Sequence, residues 1–163
     1  MISDLTEKTG PELDNIITNY RRANRVTDSV FLEALRLREK MSSKGLDFEK
    51  SRSIIIAAAQ ERRFISYKEV SDASGCEWAK VHYSVGRHLF RLLEYSRGKG
   101  WPPLSAIVVN ADKVLSGEMK TESLDGFIAG AAATGYNTDG DPTALLQAFQ
   151  QEVFAWAKEH KES

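Results

Sequence analysis

Ser66-Tyr67-Lys68-Glu69-Val70-Ser71-Asp72-Ala73-Ser74-Gly75-Cys76-Glu77-Trp78 is the stretch whose reading decides the fold. Ser66 and Glu69 stand in the Ser-x-x-Glu relation of a capping box, which predicts a helix starting at Tyr67. Gly75 closes that short helix, and a turn holding Cys76 leads into a longer one that begins near Glu77. Trp78, Val81, Val85, Leu89, Leu92 and Leu93 recur at spacings of three and four and predict its apolar face. Lys80, Tyr83, Arg87, Arg91 and Glu94 fall on other faces. A short helix, a tight turn and a longer helix with basic residues form the sequence outline of a helix-turn-helix.

Downstream, Gly98, Gly100, Pro102 and Pro103 break the helix. Leu104-Ser105-Ala106-Ile107-Val108-Val109-Asn110 predicts a strand, and Val114-Leu115 a weaker second one that would make a short hairpin or wing. Residues 116–126 read as a loop, Phe127 to Thr134 as one or two helical turns closed by Gly135, and Asn137 to Gly140 as a turn. Asp141 and Pro142 supply the cap and first position of a last helix reaching about His160. Upstream, residues 1–10 read as a frayed tail. Pro11 starts a helix carrying Leu13, Ile16, Ile17 and Tyr20. A second begins near Thr27 or Asp28, with Val30, Phe31, Ala34, Leu35, Leu37 and Met41 apolar, and ends at Gly45. Asp47 caps a third running to about Arg63. The expectation is one α+β, mainly helical domain over 1–163: a helical scaffold at 11–63, a winged-helix-like core at 64–115, a loop-rich segment at 116–140 and a C-terminal helix at 141–160.

Composition agrees with one globular unit. The 163 residues are 42% hydrophobic and 28% charged, which excludes wholesale disorder. A chain of this length buries enough surface to fold without a metal or disulfide. The single cysteine excludes an intrachain disulfide and a four-cysteine zinc site. The longest apolar run, Ile54 to Ala59, is far short of a membrane span. Met1-Ile2-Ser3-Asp4 shows no secretory pattern, so the expected location is the cytoplasm, with no membrane partner. The net charge of −1 hides a division. Residues 21–100 hold 17 Lys or Arg against 10 Asp or Glu, a balance of +7, and the rest hold 5 against 13, a balance of −8. Such segregation draws a polyanion to one face while the acidic ends remain open to a basic partner.

The order of these elements resembles the winged-helix DNA-binding domain of the O6-alkylguanine DNA alkyltransferases and their catalytically silent relatives. The family opens its first helix with Ser-Tyr-Gly-x-(Ile/Leu)-Ala, which reads Ser66-Tyr67-Lys68-Glu69-Val70-Ser71 here. Its recognition helix carries Arg-Ala-Val-Gly, here Tyr83-Ser84-Val85-Gly86, and a late Gly-Phe pair stands at Gly126-Phe127. The resemblance covers about residues 52–127 and implies DNA as partner. The family's acceptor sits in Pro-Cys-His-Arg after an apolar strand, whereas this chain has Ile107-Val108-Val109-Asn110, without the thiolate that alkyl transfer needs. Tyr83 stands where the family has the arginine that enters the duplex. The chain is also similar to small bacterial and phage-borne proteins that pair a strand like Pro103–Asn110 with a helix holding Val153-Phe154-Ala155-Trp156, which suggests a phage, defence or mobile-element setting.

The candidate nucleic-acid residues are Lys80, His82, Tyr83, Arg87 and Arg91 on the long helix, with Ser66, Tyr67 and Lys68 at the start of the short one. Lysine and arginine neutralise phosphates and read guanine edges, and an exposed helix start binds phosphate. His82 and His88 are six residues apart and cannot share a metal on one helix; no metal, cofactor or catalytic residue is assigned. Cys76 reads as a turn residue, His160 as a cation at a helix end, and Asn137, Asp139 and Asp141 as turn and cap. No Ser-His-Asp set or phosphate-binding glycine loop stands out. Two readings remain: a non-enzymatic DNA-binding protein, or a protein-interaction module on the same scaffold.

Overall fold

A computed structural model of the protein describes residues 4–42 and 45–160. Among them are seven α-helices and a two-stranded parallel sheet: α1 (Gly10–Arg22), α2 (Ser29–Ser42), α3 (Phe48–Gln60), β1 (Ile65–Ser66), α4 (Tyr67–Ala73), α5 (Trp78–Gly98), β2 (Val108–Val109), α6 (Thr121–Thr134) and α7 (Pro142–Glu159). The chain is mainly helical, as expected.

Local chemistry explains most boundaries. Thr9 and Glu12 form a capping box on α1, with Pro11 in the first turn. The Asp28 carboxylate accepts from the Val30 amide at 2.9 Å, which holds its titration below the ordinary range and starts α2. Asp47 caps α3, Ser66 and Glu69 box α4, and Asp141 caps α7. Gly75 takes φ 76° after α4, and the Cys76 amide donates to Ser71 O at 3.0 Å.

Helix α5 is the hub. It contacts α2, α3, α4 and α6 and a 3-10 turn at Leu104–Ile107. Helix α1 packs on α2, which packs on α5, and α6 packs on both α5 and α7. The core between them holds Leu13, Phe31, Leu35, Ile55, Leu92 and Ile107, all buried. Each contributes about 1.5–3 kcal/mol on leaving water.

Five expectations need correction. The apolar run after Pro103 is not one seven-residue strand: Leu104–Ile107 coil as a 3-10 turn and only Val108–Val109 are extended. Their partner β1 is two residues long, since Ser66 turns at once into α4, and pairing stops at Ile65↔Val108 and Ser66↔Val109. Helices α3, α5 and α7 wrap the run. The Gln150 side-chain amide donates to Ala106 O at 3.0 Å and Gly117 O at 2.8 Å, so the Ala106 carbonyl is satisfied without a ladder. There is no hairpin or wing at Val114-Leu115: Ala111–Lys113 form another 3-10 turn and Leu115 stands 98% exposed, with no neighbouring strand to pair it. Residues 116–126 are not all loop, because α6 begins at Thr121 and runs fourteen residues. Its glycines hid the pattern, and Gly135 (φ 104°) ends it as expected. Finally, Asp4 caps a 3-10 turn at Leu5–Glu7 that buries Leu5, so this part of the expected tail is folded. Met41, counted as apolar face, is half exposed.

Candidate nucleic-acid interface and adjoining cleft

Helix α4, the turn at 74–77 and α5 bring the predicted residues to one end of the molecule. Position along α5 then separates them. Lys80, Tyr83 and Arg87 follow at i, i+3 and i+7, so they share one stripe of the helix. All three are exposed, Tyr83 to 85%. Lys80 pairs with Glu77 at 3.4 Å and Lys68, on α4, with Asp72 at 3.0 Å. Both pairs are solvent-exposed, and such pairs are worth at most about 1 kcal/mol, so a phosphate competes for these cations. Arg87 has no carboxylate partner among the described residues. His82 lies beside the stripe, its ring 3.9 Å from that of Tyr83 and 5.8 Å from that of Trp78.

Three predicted residues sit differently. Ser66 is buried, and its hydroxyl accepts from the Glu69 amide at 3.1 Å, so it sets the helix start from inside. Tyr67 is half-buried and faces a cleft. Arg91 belongs to an ion cluster: it donates to Glu94 Oε1 at 3.3 Å, while Arg21 of α1 grips the same carboxylate through two hydrogen bonds of 2.9 and 2.6 Å. Arg21 ties α5 to α1 through Glu94, and Arg91 supports that carboxylate from within α5.

The cleft lies between α5 and α6. Tyr67, Trp78, Phe90 and Phe127 give it aromatic walls. Gly86, Gly126 and Gly130 leave bare helix backbone between them. A Cβ placed at Gly86 or Gly126 meets no atom within 4 Å, so space is open there. Ser105 and Asn110 come from the 3-10 turn and the end of β2, and Ser123 of α6 donates to Asn110 Oδ1 at 3.4 Å. Sequence spacing does not reveal the cleft, because the first half of its α6 wall, up to Gly126, reads as loop.

A second constellation was also missed. Ser51 Oγ lies 2.8 Å from His88 Nε2, and His88 Nδ1 lies 2.8 Å from Glu39 Oε1. With Glu39 as carboxylate, the ring N–H at Nδ1 donates to it and Nε2 accepts from the serine hydroxyl. This is the order hydroxyl, imidazole, carboxylate used by hydrolases. Here the three residues are 1%, 0% and 1% exposed and lie outside the cleft lining, so a substrate carbonyl has no approach to Ser51. They come from α3, α5 and α2, and the set cross-links those helices through the core. Three residues 12 and 37 positions apart leave no local signature.

The remaining candidates are structural in placement. Cys76 packs half-buried against the core beside Gly45. The ring of His160 stacks on Trp156 at 4.2 Å. Among the described residues no group of three His, Cys, Asp or Glu is placed to hold a metal ion, and no helix is long and apolar enough to cross a membrane. The chain matches no family model, no curated protein and no solved structure.

Proposed function

We propose that the protein binds DNA without catalysing a reaction on it, through the exposed N-terminal half of α5 presented by α4 and the turn. The observation that carries this reading is the stripe Lys80, Tyr83, Arg87: two cations flanking an aromatic ring that is 85% exposed, on a helix standing behind a short capped helix and a glycine turn. A helix so presented fits a major groove. Lys68 at the start of α4 supports it as a backbone contact. Gly86, exposed within the same segment, lets the helix backbone approach closely. The arrangement is in keeping with the helix-turn-helix part of the alkyltransferase likeness.

Fluorescence anisotropy with labelled duplex tests it. With Lys68, Lys80 and Arg87 each neutralising one phosphate, affinity falls about 40-fold between 50 and 200 mM salt, and Arg87→Ala lowers the logarithmic salt slope by about 0.9. Binding that ignores salt and Arg87, or no binding at low salt, overturns the reading. It then favours a protein partner, for which the acidic ends supply a charged surface.

A further inference from the structure

The cleft between α5 and α6 holds polar groups that the protein itself leaves unused. Ser105 is only 7% exposed and lines the cleft, yet its hydroxyl makes no hydrogen bond among the described residues. Asn110 receives the Ser123 hydroxyl on its carbonyl oxygen, and its amide nitrogen makes no hydrogen bond among the described residues. The Tyr67 hydroxyl, on the same lining, is likewise without a partner. None of the three is sealed from solvent, so each can exchange a water for a ligand group at little cost. Here a hydroxyl, an amide N–H2 and a phenol border a site whose other lining is the aromatic set of Trp78, Phe90 and Phe127. Aromatic walls favour a flat π-system, and the mixed donors and acceptors favour a ligand edge carrying both.

We propose that this cleft is the binding site of a small planar heteroaromatic molecule, free in solution, whose hydrogen-bonding edge meets Ser105 and Asn110 and whose faces meet the aromatic walls. One helix supplies both this cleft and the stripe above. Trp78 and His82 line the cleft, and the ring of His82 touches that of Tyr83. A ligand that orders Trp78 and His82 therefore changes how Tyr83 is presented. This second clause rests on the DNA reading; the binding site does not.

Benzimidazole is a suitable probe, since it is flat and carries one donor and one acceptor on one edge. Indene is the same shape without them. The intact protein is titrated with each while amide shifts and tryptophan emission are followed, with Trp78→Phe identifying the signal of Trp78. The expected result is saturable benzimidazole binding in the millimolar range that fragments of about nine heavy atoms reach, with shifts confined to α5, α6 and residues near Ser105. Ser105→Ala weakens benzimidazole about five- to tenfold and leaves indene unchanged. The Ser105 hydroxyl has no hydrogen-bond partner among the described residues, so this variant is expected to fold normally. Gly126→Leu, which projects into open space, abolishes both. Failure of benzimidazole to saturate up to 10 mM, on the order of ten times the expected midpoint, overturns the site. Equal loss of indene and benzimidazole in Ser105→Ala overturns the polar edge. In the coupling arm, saturating benzimidazole changes duplex affinity in the unsubstituted protein and not in Gly126→Leu. An unchanged affinity in a protein that binds both overturns the coupling alone. Absence of DNA binding overturns the proposed function and leaves the probe titration to stand by itself.

Discussion

The two halves of α5 are built to opposite ends. Over residues 78–87 the helix shows Trp78, Lys80, His82, Tyr83, Gly86 and Arg87 to solvent, and only Val81 and Val85 are buried. Over residues 88–98 it buries His88, Leu89, Leu92, Leu93, Glu94, Tyr95, Ser96 and Gly98. The amphipathic spacing continues through both. What changes is the number of neighbours: α2, α3 and the 3-10 turn at Leu104–Ile107 close around the second half, while the first half projects beyond them beside α4 and α6. An arginine therefore means different things on one helix. Arg87 has no carboxylate partner among the described residues, and Arg91 is part of a cluster with Glu94 and Arg21. The contrast teaches that recognition and scaffold are divided along the length of this helix as well as around it.

The sharpest way to break the contrast is at its boundary. His88 is the first residue of the enclosed half and joins α5 to α2 and α3. His88→Ala strips the partner from Glu39, whose other carboxylate oxygen already lacks one among the described residues. Removing one member of a buried polar pair typically costs about 3–5 kcal/mol. Urea unfolding of this variant is expected to show a loss of that size. A loss under about 1 kcal/mol, the scale of surface changes, shows that the three-helix link is dispensable.

Glycines make the same comparison within one substitution type. A Cβ at Gly98 would lie 2.4 Å from Val26 O and 2.5 Å from Leu32 Cδ2, so Gly98→Ala forces backbone apart and costs about 2–3 kcal/mol. A Cβ at Gly86 meets nothing. Gly86→Ala removes backbone freedom from the unfolded chain and stabilises by about 0.4–1 kcal/mol. Opposite shifts in thermal midpoint are the expected result, and two shifts of one sign contradict the division of the helix.

Sequence marks the ends of elements better than what surrounds them. The capping box at Ser66, the Asp47 and Asp141 caps and the stop at Gly135 are contained within a few residues and were all legible. The 3-10 turn at Leu104–Ile107 was not, since its conformation depends on a two-residue partner strand and on Gln150, 44 residues from Ala106. Helix α6 was half lost because Gly126 and Gly130 weaken the periodic signal where α6 approaches Phe90 and Leu93. At the candidate site, the exposed stripe of Lys80, Tyr83 and Arg87 was readable from spacing. Neither the capture of Glu94 beside Arg91 by Arg21, 73 residues away, nor the burial of Ser66 was, for both depend on other elements packing against the site.

Arg91 and Arg87 sharpen the comparison at smaller cost. Arg91→Ala leaves Glu94, largely buried, with Arg21 as remaining partner, and destabilises by about 1–2 kcal/mol. Arg87→Ala loses no ion pair made among the described residues and changes stability by less than about 0.5 kcal/mol, while weakening duplex binding. Chemical denaturation and anisotropy on both variants separate the roles. If Arg91→Ala lowers duplex affinity at undiminished stability, its place in the scaffold is wrong.

A further modest effect is expected at the last turn of the enclosed half. Arg97 sits over the Tyr136 ring at 5.9 Å, and the Tyr136 hydroxyl donates to Trp101 O at 2.9 Å. Enclosure of the phenol pushes its titration well above the ordinary tyrosine range. The sign follows from proton binding. Near pH 10 the unfolded chain begins to release this proton while the folded chain keeps it, so stability drops as pH rises past about 10. Tyr136→Phe costs about 1 kcal/mol at neutral pH for the lost hydrogen bond and flattens the alkaline limb of the stability curve. Tyr83→Phe, with its ring in solvent, leaves neutral stability unchanged. An alkaline limb that survives in Tyr136→Phe assigns it to another group and removes Tyr136 from the closure of this end of the helix.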